Sequence, residues 1–269
     1  MKKTVLITGS SSGIGEATAH YFSEKGWNVV ATMRNPGKRK TSLHNVKDID
    51  IFHLDVTDQI SIKKAVDYTM KKYKRIDALV NNAGFALFGP FETSTKEQVK
   101  MQFDTNVIGL LDLTREVIPI MRRQKEGTII NVSSVGGRAG FPAYSLYNAT
   151  KFAVEGFSEC LQYELKDFGI RVKIIEPGPI KTDFSGRSMV FLEKKEYDRF
   201  MKKMKTISKK SHEFGSDPRV VAKTIYKAAT TKRWRLRYPS GIGAGTMMKM
   251  KKLLPERLVF WILRKAVID

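Results

Sequence analysis

The stretch Thr4-Val5-Leu6-Ile7-Thr8-Gly9-Ser10-Ser11-Ser12-Gly13-Ile14-Gly15 decides the fold class. Thr4–Thr8 is β-branched and apolar, the composition of a buried strand. A Gly/Ser turn follows, and from Gly13 to Lys25 the apolar residues recur at helical spacing. Three glycines between a strand and a helix let the backbone come close to a pyrophosphate. The helix N-terminus then offers free N–H groups and the positive end of its dipole. A Gly/Ser turn alone is only a turn; its place after a first strand, with further strand–helix units behind it, makes it a nucleotide signal.

Outward from this stretch the same rhythm repeats. Residues 28–33, 51–55, 78–81, 128–132 and 172–176 read as buried strands, and residues 60–72 and 146–168 read as amphipathic helices. Such alternation predicts a parallel sheet with helices on both faces. After Glu176 the rhythm breaks at Pro177-Gly178-Pro179. Asp217-Pro218 reads as an N-cap and first helical residue, and a last strand is expected near Leu236. The 269 residues show no linker, low-complexity segment or short repeat, so one domain is expected over 1–269.

Hydrophobic residues make up 42% of the chain, enough for a full core. The single cysteine, Cys160, excludes an internal disulfide and is expected to be buried filler in a helix. The four histidines (His20, His44, His53 and His212) lack metal-ligand spacing, so no metal site is expected. With no leader-like or membrane-spanning apolar run, a cytoplasmic location is expected. The net charge of +21 gathers in two clusters. One is Lys194, Lys195, Arg199, Lys202, Lys203, Lys205, Lys209 and Lys210; the other is Lys232, Arg233, Arg235, Arg237, Lys249, Lys251 and Lys252. Charge runs of this kind are solvated helix faces or attract anionic partners.

Tyr147 and Lys151 stand four apart at the start of a predicted helix and share a face. A tyrosine serves as acid/base only where its phenolate is stabilised, which a neighbouring ammonium does. Tyr21/Lys25 and Tyr68/Lys72 show the same spacing. A third group separates the pairs. Thirteen residues before Tyr147 lies Ser134, just past a strand, where a hydroxyl can polarise a substrate oxygen. Thirteen before Tyr68 is Asp55, an anion that opposes a phenolate; thirteen before Tyr21 is Thr8, committed to the glycine turn. Tyr144, with Asn148 four residues on, is a pocket wall rather than an acid/base. Asp55 is a partner for an adenine amino group or a helix cap, a role Asp58 fills better. The asparagines of Asn81-Asn82-Ala83-Gly84 hold neighbouring backbone or the adenosine ribose.

Together, Thr8-Gly9-x-x-x-Gly13-Ile14-Gly15, Asn81-Asn82-Ala83-Gly84, Ser134, Tyr147-x-x-x-Lys151 and Pro177-Gly178 resemble the short-chain dehydrogenase/reductase family over residues 4 to about 182. The resemblance implies a single-domain α/β fold, a doubly wound (Rossmann) seven-stranded parallel sheet. It also implies a substrate-binding loop region at 183–216 and a C-terminal helical extension at 239–269. The expected activity is hydride transfer between a nicotinamide cofactor and a carbonyl/alcohol pair. The catalytic residues would be Asn106, Ser134, Tyr147 and Lys151: Tyr147 as general acid/base, Lys151 lowering its pKa and binding the nicotinamide ribose, Ser134 orienting the substrate oxygen, and Asn106 holding a water in a proton relay. Cofactor contacts would come from Gly9, Ser11, Ser12, Gly13, Ile14, Gly15, Arg34, Asp55, Val56, Asn82, Ala83, Gly84, Tyr147, Lys151, Pro177 and Gly178, with Thr182 on the carboxamide. A homodimer or homotetramer is also implied.

Ser134-Val135-Gly136-Gly137 and Lys151-Phe152-Ala153-Val154-Glu155-Gly156-Phe157 are similar to the 17β-hydroxysteroid and retinol dehydrogenase-like branch. That similarity implies an apolar, steroid-, retinoid- or lipid-like substrate, with Phe85, Leu87, Phe88, Phe141, Met189, Val190, Phe191 and Leu192 in pocket-lining regions. Strand two ends in Arg34 and no acid occurs between Asn28 and Lys47. An NAD site usually places a carboxylate here, whereas a guanidinium can fork onto a 2′-phosphate, so NADP(H) is the expected cofactor. Lys38, Arg39 and Lys40 lie just beyond, and Ser12 is a possible extra donor.

Two rival readings remain open. A non-catalytic dinucleotide sensor has no need of the Ser/Tyr/Lys set. A nucleic-acid binder lacks any stacking platform or recognition helix. The segment 253–265, apolar and edged with cations, either packs on its own domain or a partner subunit or makes a weak contact with an anionic membrane.

Overall fold

Alternate side chains of the central strands enter two different cores. Val5, Ile7, Ala78, Val80, Ile130 and Val132 join one cluster, whereas Leu6, Leu79 and Ile129 join the other. That division follows from the two-residue period of a strand buried on both faces. A computed structural model describes residues 1–39 and 41–267. Lys40, expected among the cations beyond Arg34, and Ile268 and Asp269 of the expected C-terminal extension lie outside the described residues.

The strands are β1 (Thr4–Ile7), β2 (Asn28–Met33), β3 (Ile49–His53), β4 (Ala78–Asn81), β5 (Ala86–Phe88), β6 (Gly127–Val132), β7 (Ile170–Pro177), β8 (Met189–Phe191) and β9 (Arg237–Ser240). Seven of them form one parallel sheet in the order β3-β2-β1-β4-β6-β7-β9, and β5 pairs with β8 in a separate two-stranded ribbon. The helices are α1 (Gly13–Glu24), α2 (Gln59–Tyr73), α3 (Lys96–Phe103), α4 (Gly109–Gln124), α5 (Ser145–Glu164), α6 (Phe184–Arg187), α7 (Asp198–Glu213), α8 (Pro218–Thr230), α9 (Ala244–Leu253) and α10 (Glu256–Val267). Ala19, Phe22, Val221 and Ile225 bring α1 and α8 onto one face; Ala65, Val66, Leu113, Val117 and Leu161 bring α2, α4 and α5 onto the other. The seven-stranded doubly wound sheet is thus the one expected.

Strand order reverses between β1 and β4, the topological switch point where open α/β sheets bind ligands. Some local expectations shift. The third strand ends at His53, not Asp55, because the Asp55 carboxylate accepts hydrogen bonds from the Thr57 N–H (3.0 Å) and hydroxyl (2.8 Å) and turns the chain. Asp58 caps α2 through Ile60, and Asp217 caps α8. Cys160 is exposed, a correction to its reading as buried filler: the neighbouring Leu161 takes the inward position on α5, 100° further round. The helical part of the tail begins at Ala244, because residues 237–240 complete the sheet.

Candidate active site

The site is built at the switch point, where the turns after β1 and β4 face each other. Gly9 holds φ +68°, a left-handed conformation that side-chain-bearing residues rarely adopt. Gly15 is confined differently: a Cβ there would collide with the Gly9 carbonyl and stand 2.6 Å from Asn82 Nδ2. Asn82 donates from Nδ2 to the Thr8 and Gly9 carbonyls at 2.9 and 3.0 Å. Thr8 Oγ1 in return accepts from the Asn82 and Ala83 N–H groups at 3.0 Å. Asn81 turns the other way, donating to Thr114 and to Asn131 of β6. Both asparagines use their amide N–H groups to hold the protein, and Asn82 also borders the cavity described next.

A cavity of about 600 Å³ runs from this turn to the chemical residues. Its walls include Gly9, Ser11, Ser12, Gly13, Ile14, Arg34, Asp55, Val56, Asn82, Ala83, Gly84, Ser134, Tyr147, Lys151, Pro177, Gly178 and Thr182. Of the residues expected at the site, Gly15 and Asn106 are not on the wall. Gly15 acts from behind, by letting α1 meet the β1 turn. The bare backbone at Gly9 and Gly13, next to the start of α1, is a cradle that fits a dinucleotide pyrophosphate.

At the chemical end, Ser134 heads the short helical turn Val135–Gly137 and its Oγ accepts from the Gly136 N–H at 3.0 Å. Tyr147 lies in the first turn of α5, and burial pushes its phenol up to about 12 against a hydrogen bond with Ser134 that pulls it down. Lys151, one turn on, is buried and donates to the Val132 carbonyl at 2.8 Å. Burial brings its ammonium down to about 8, opposed by the charge of Glu155. Tyr68 and Tyr21 are absent from the cavity: Tyr68 stacks on Phe52 at 4.4 Å and Tyr21 packs edge-on against Tyr226.

Asn106 stands behind the cavity wall, its side chain engaged by protein. It sits in a π-helical turn, Asp104–Ile108, and is almost fully buried. Its two amide protons go to the Phe85 carbonyl (2.8 Å) and Thr150 Oγ1 (3.1 Å), while its Oδ1 accepts from the Phe85 N–H (3.0 Å). The side chain ties Phe85, just before β5, to α5.

The far wall is mostly apolar, with Phe85, Phe88, Phe141, Tyr144, Phe184, Met189, Met204 and Ile207, and carries Arg187, Ser208, Ser211 and His212 as its polar groups. Leu87 and Leu192, expected there, pack instead in a small core with Leu146, and Val190 and Phe191 face outward. Sequence reasoning missed the contribution of α7. Met201, Met204, Ile207 and Ser211 recur at helical spacing inside the first basic cluster, so α7 covers the pocket with one face and carries its lysines on the other. Ser208 stands 3.4 Å from the Tyr144 hydroxyl, bringing α7 over the Tyr147 end.

Arg34 and Arg39 both line the cavity, and Lys38 does not. The second basic cluster is not uniformly solvated either: Arg237 turns inward to Glu155, and Lys251 lies over the Phe152 ring.

The family profile described as short chain dehydrogenase matches residues 3–189. A 3-ketodihydrosphingosine reductase of Bacteroides thetaiotaomicron is 36% identical, over 97% of this chain and 96% of that protein. A short-chain dehydrogenase from Streptomyces avermitilis has a similar structure, with a TM-score of 0.84, 32% identity and coverage of 100% of this chain and 99% of that one. The structure of ElxO with NADP bound gives 0.74 and 29%, covering 89% and 98%.

Proposed function

This chain belongs to the short-chain dehydrogenase/reductase family of oxidoreductases, and from that premise we propose that it exchanges a hydride between NADP(H) and an apolar carbonyl/secondary-alcohol pair, with Tyr147 as general acid/base. One observation carries this reading: Ser134 and the Tyr147–Lys151 pair of α5 face the same cavity as the glycine turn, although the turn after β1, the turn after β6 and α5 are separate elements. A bound nicotinamide supplies or accepts the hydride. Ser134, its hydroxyl oriented by the Gly136 N–H, donates to the substrate oxygen. Tyr147 gives that oxygen its proton in reduction and takes it back in oxidation. Lys151 holds positive charge beneath the phenolate that results and presents donors toward the ribose. Asn106 fixes the relative positions of β5 and α5. A dinucleotide sensor on the same fold would not require this convergence.

The apolar wall supports a lipid-, steroid- or retinoid-like substrate, and the relative named as a 3-ketodihydrosphingosine reductase fits a ketone. Arg34 and Arg39, together with the missing carboxylate at the end of β2, support NADP(H), as does the NADP held by ElxO. NADPH oxidation with a panel of long-chain, steroid and small polar ketones tests the reading. Turnover of the apolar members, lost in Tyr147→Phe, supports it; turnover of the polar members alone refutes the substrate class. We take the assembly to be a homodimer or homotetramer.

The tail carries a second, separate reading. Helix α10 packs on α9 and leaves Leu258, Phe260 and Trp261 exposed beside Arg257. Among the described residues no helix is long and apolar enough to cross a membrane. Aromatic residues rimmed by cations suit the surface of an anionic bilayer.

A further inference from the structure

Side chains from α5, β7, β9 and the Ser134 turn meet in one cluster, two buried carboxylates against two partly exposed guanidiniums. Glu155 lies on α5 one turn beyond Lys151, and Glu176 is the residue before Pro177-Gly178 at the end of β7. They are 4% and 1% exposed. Arg237 of β9 places Nε 3.0 Å from Glu155 Oε2 and 3.7 Å from Glu176 Oε1. Arg138, at the end of the Ser134 turn, stands 3.9 Å from Glu176 Oε1. The turn is pressed onto this cluster: a Cβ on Gly137 would meet Ser133 Oγ at 2.5 Å and Glu155 Cγ at 3.0 Å. Yet Glu155 Oε1 and Glu176 Oε1 are buried without a hydrogen-bond partner.

Two buried carboxylates sharing one guanidinium are costly if both are ionised, because like charges in a low dielectric repel strongly. A single proton relieves that repulsion and gives one oxygen the donor it lacks. We propose that Glu155 and Glu176 share one proton, and that this protonated pair, clamped by Arg237 and Arg138, positions the Ser134 turn, the Tyr147–Lys151 helix and the Pro177-Gly178 loop around the site read above. Both are positioning residues; neither touches the cavity wall.

The surrounding charges agree with this. Burial, then the charge of Glu155, pushes Glu176 up to about 7 against Arg138, Arg237 and Arg235. Burial also raises Glu155, against Ser133, Arg237 and Arg138. Lys151 faces Glu155 along α5, and Glu159 draws the other end of the Arg237 guanidinium outward. An acid raised in the folded state binds its proton more tightly there than in the unfolded chain. Its contribution to stability is present at low pH and is lost as pH climbs from the ordinary carboxyl range to about 7.

The test needs no substrate, so it stands or falls apart from the reading of the reaction. Carboxyl ¹³C NMR on protein labelled at glutamate should show one buried carboxyl titrating near neutrality in the wild type. Glu176→Gln, an uncharged isostere of the protonated acid, should abolish that titration and return Glu155 toward the ordinary range. The wild type should melt at progressively lower temperature, and bind NADPH several-fold more weakly, as pH rises from 5 to 7.5; Glu176→Gln should show neither trend. All glutamates titrating in the ordinary range would overturn the proposal. So would a Glu176→Gln protein that keeps the wild-type pH trends in melting and NADPH affinity. If that variant does not fold, the wild-type titration alone decides.

Discussion

Lys151 carries its Nζ 5.6 Å from the centre of the Tyr147 ring while donating to the Val132 carbonyl at 2.8 Å. The lysine is thus anchored to the end of β6, and α5 sets the tyrosine above it. Tyr147→Phe removes the phenol oxygen and leaves this packing, so melting temperature and NADPH affinity should hold. Turnover should fall by ~10²–10⁴-fold, the contribution of a positioned acid/base. Tyr68→Phe and Tyr21→Phe should leave turnover within about twofold of wild type, since neither ring reaches the cavity. Near-normal turnover in Tyr147→Phe, measured by NADPH absorbance on a confirmed substrate, would remove the assignment.

Gly15→Ala tests the close approach of α1 to the β1 turn. The added methyl has the Gly9 carbonyl and Asn82 Nδ2 in its way, and both are fixed by hydrogen bonds. Overpacking of this kind costs about 1–3 kcal/mol. Chemical denaturation should register that loss, and cofactor titration should weaken at least about tenfold, the equivalent of ~1.4 kcal/mol. Gly156→Ala on α5 is the control: nothing lies within 4 Å of its Cβ position, so cofactor binding should be unchanged. Equal behaviour of the two variants would mean that the contact does not shape the site.

Cofactor choice is tested at Arg34. A charge-assisted contact to a 2′-phosphate is worth about 1.5–3 kcal/mol, which favours NADPH over NADH by roughly ten- to a hundredfold. Arg34→Ala should erase most of that gap by weakening NADPH while leaving NADH nearly unchanged; Arg39, on the same wall, should give a smaller effect. Fluorescence titration of both cofactors measures it. Equal wild-type affinities, or a mutant that loses both alike, would defeat the assignment.

The tail is tested with vesicles. The pure protein should sediment with phosphatidylserine-containing vesicles at low salt and release as salt rises, because exposed charges are screened. Phe260→Ser/Trp261→Ser should reduce binding at every salt concentration without lowering the melting temperature, since both rings are exposed. Absence of sedimentation at low salt removes the membrane reading, and a concentration-dependent dimer that the double substitution breaks assigns the face to another copy of the chain instead.

The sequence by itself determined the sheet, and it named the glycine turn and the Tyr147–Lys151 pair that the structure brings to one cavity. Each is written in a local pattern: apolar runs of strand length, a glycine turn between strand and helix, and a Tyr–Lys pair one helical turn apart. Local patterns survive because strand and helix periods are fixed by backbone geometry, and the parallel order of strands leaves few topologies. What only the tertiary structure decided lies where distant segments meet. The β5–β8 ribbon joins residues about a hundred positions apart and sends Met189 inward but Val190 and Phe191 outward. Helix α7 reads as a charge run in the sequence, but Met204 and Ile207 on its inner face close the pocket. Asn106 reads in the sequence only as a polar residue in a helix, and packing gives its amide protons to Phe85 and Thr150. Glu155, Glu176 and Arg237 carried no signal in the chain, because burial and the sharing of one guanidinium are properties of packing. No spacing records which side chains will be removed from water together.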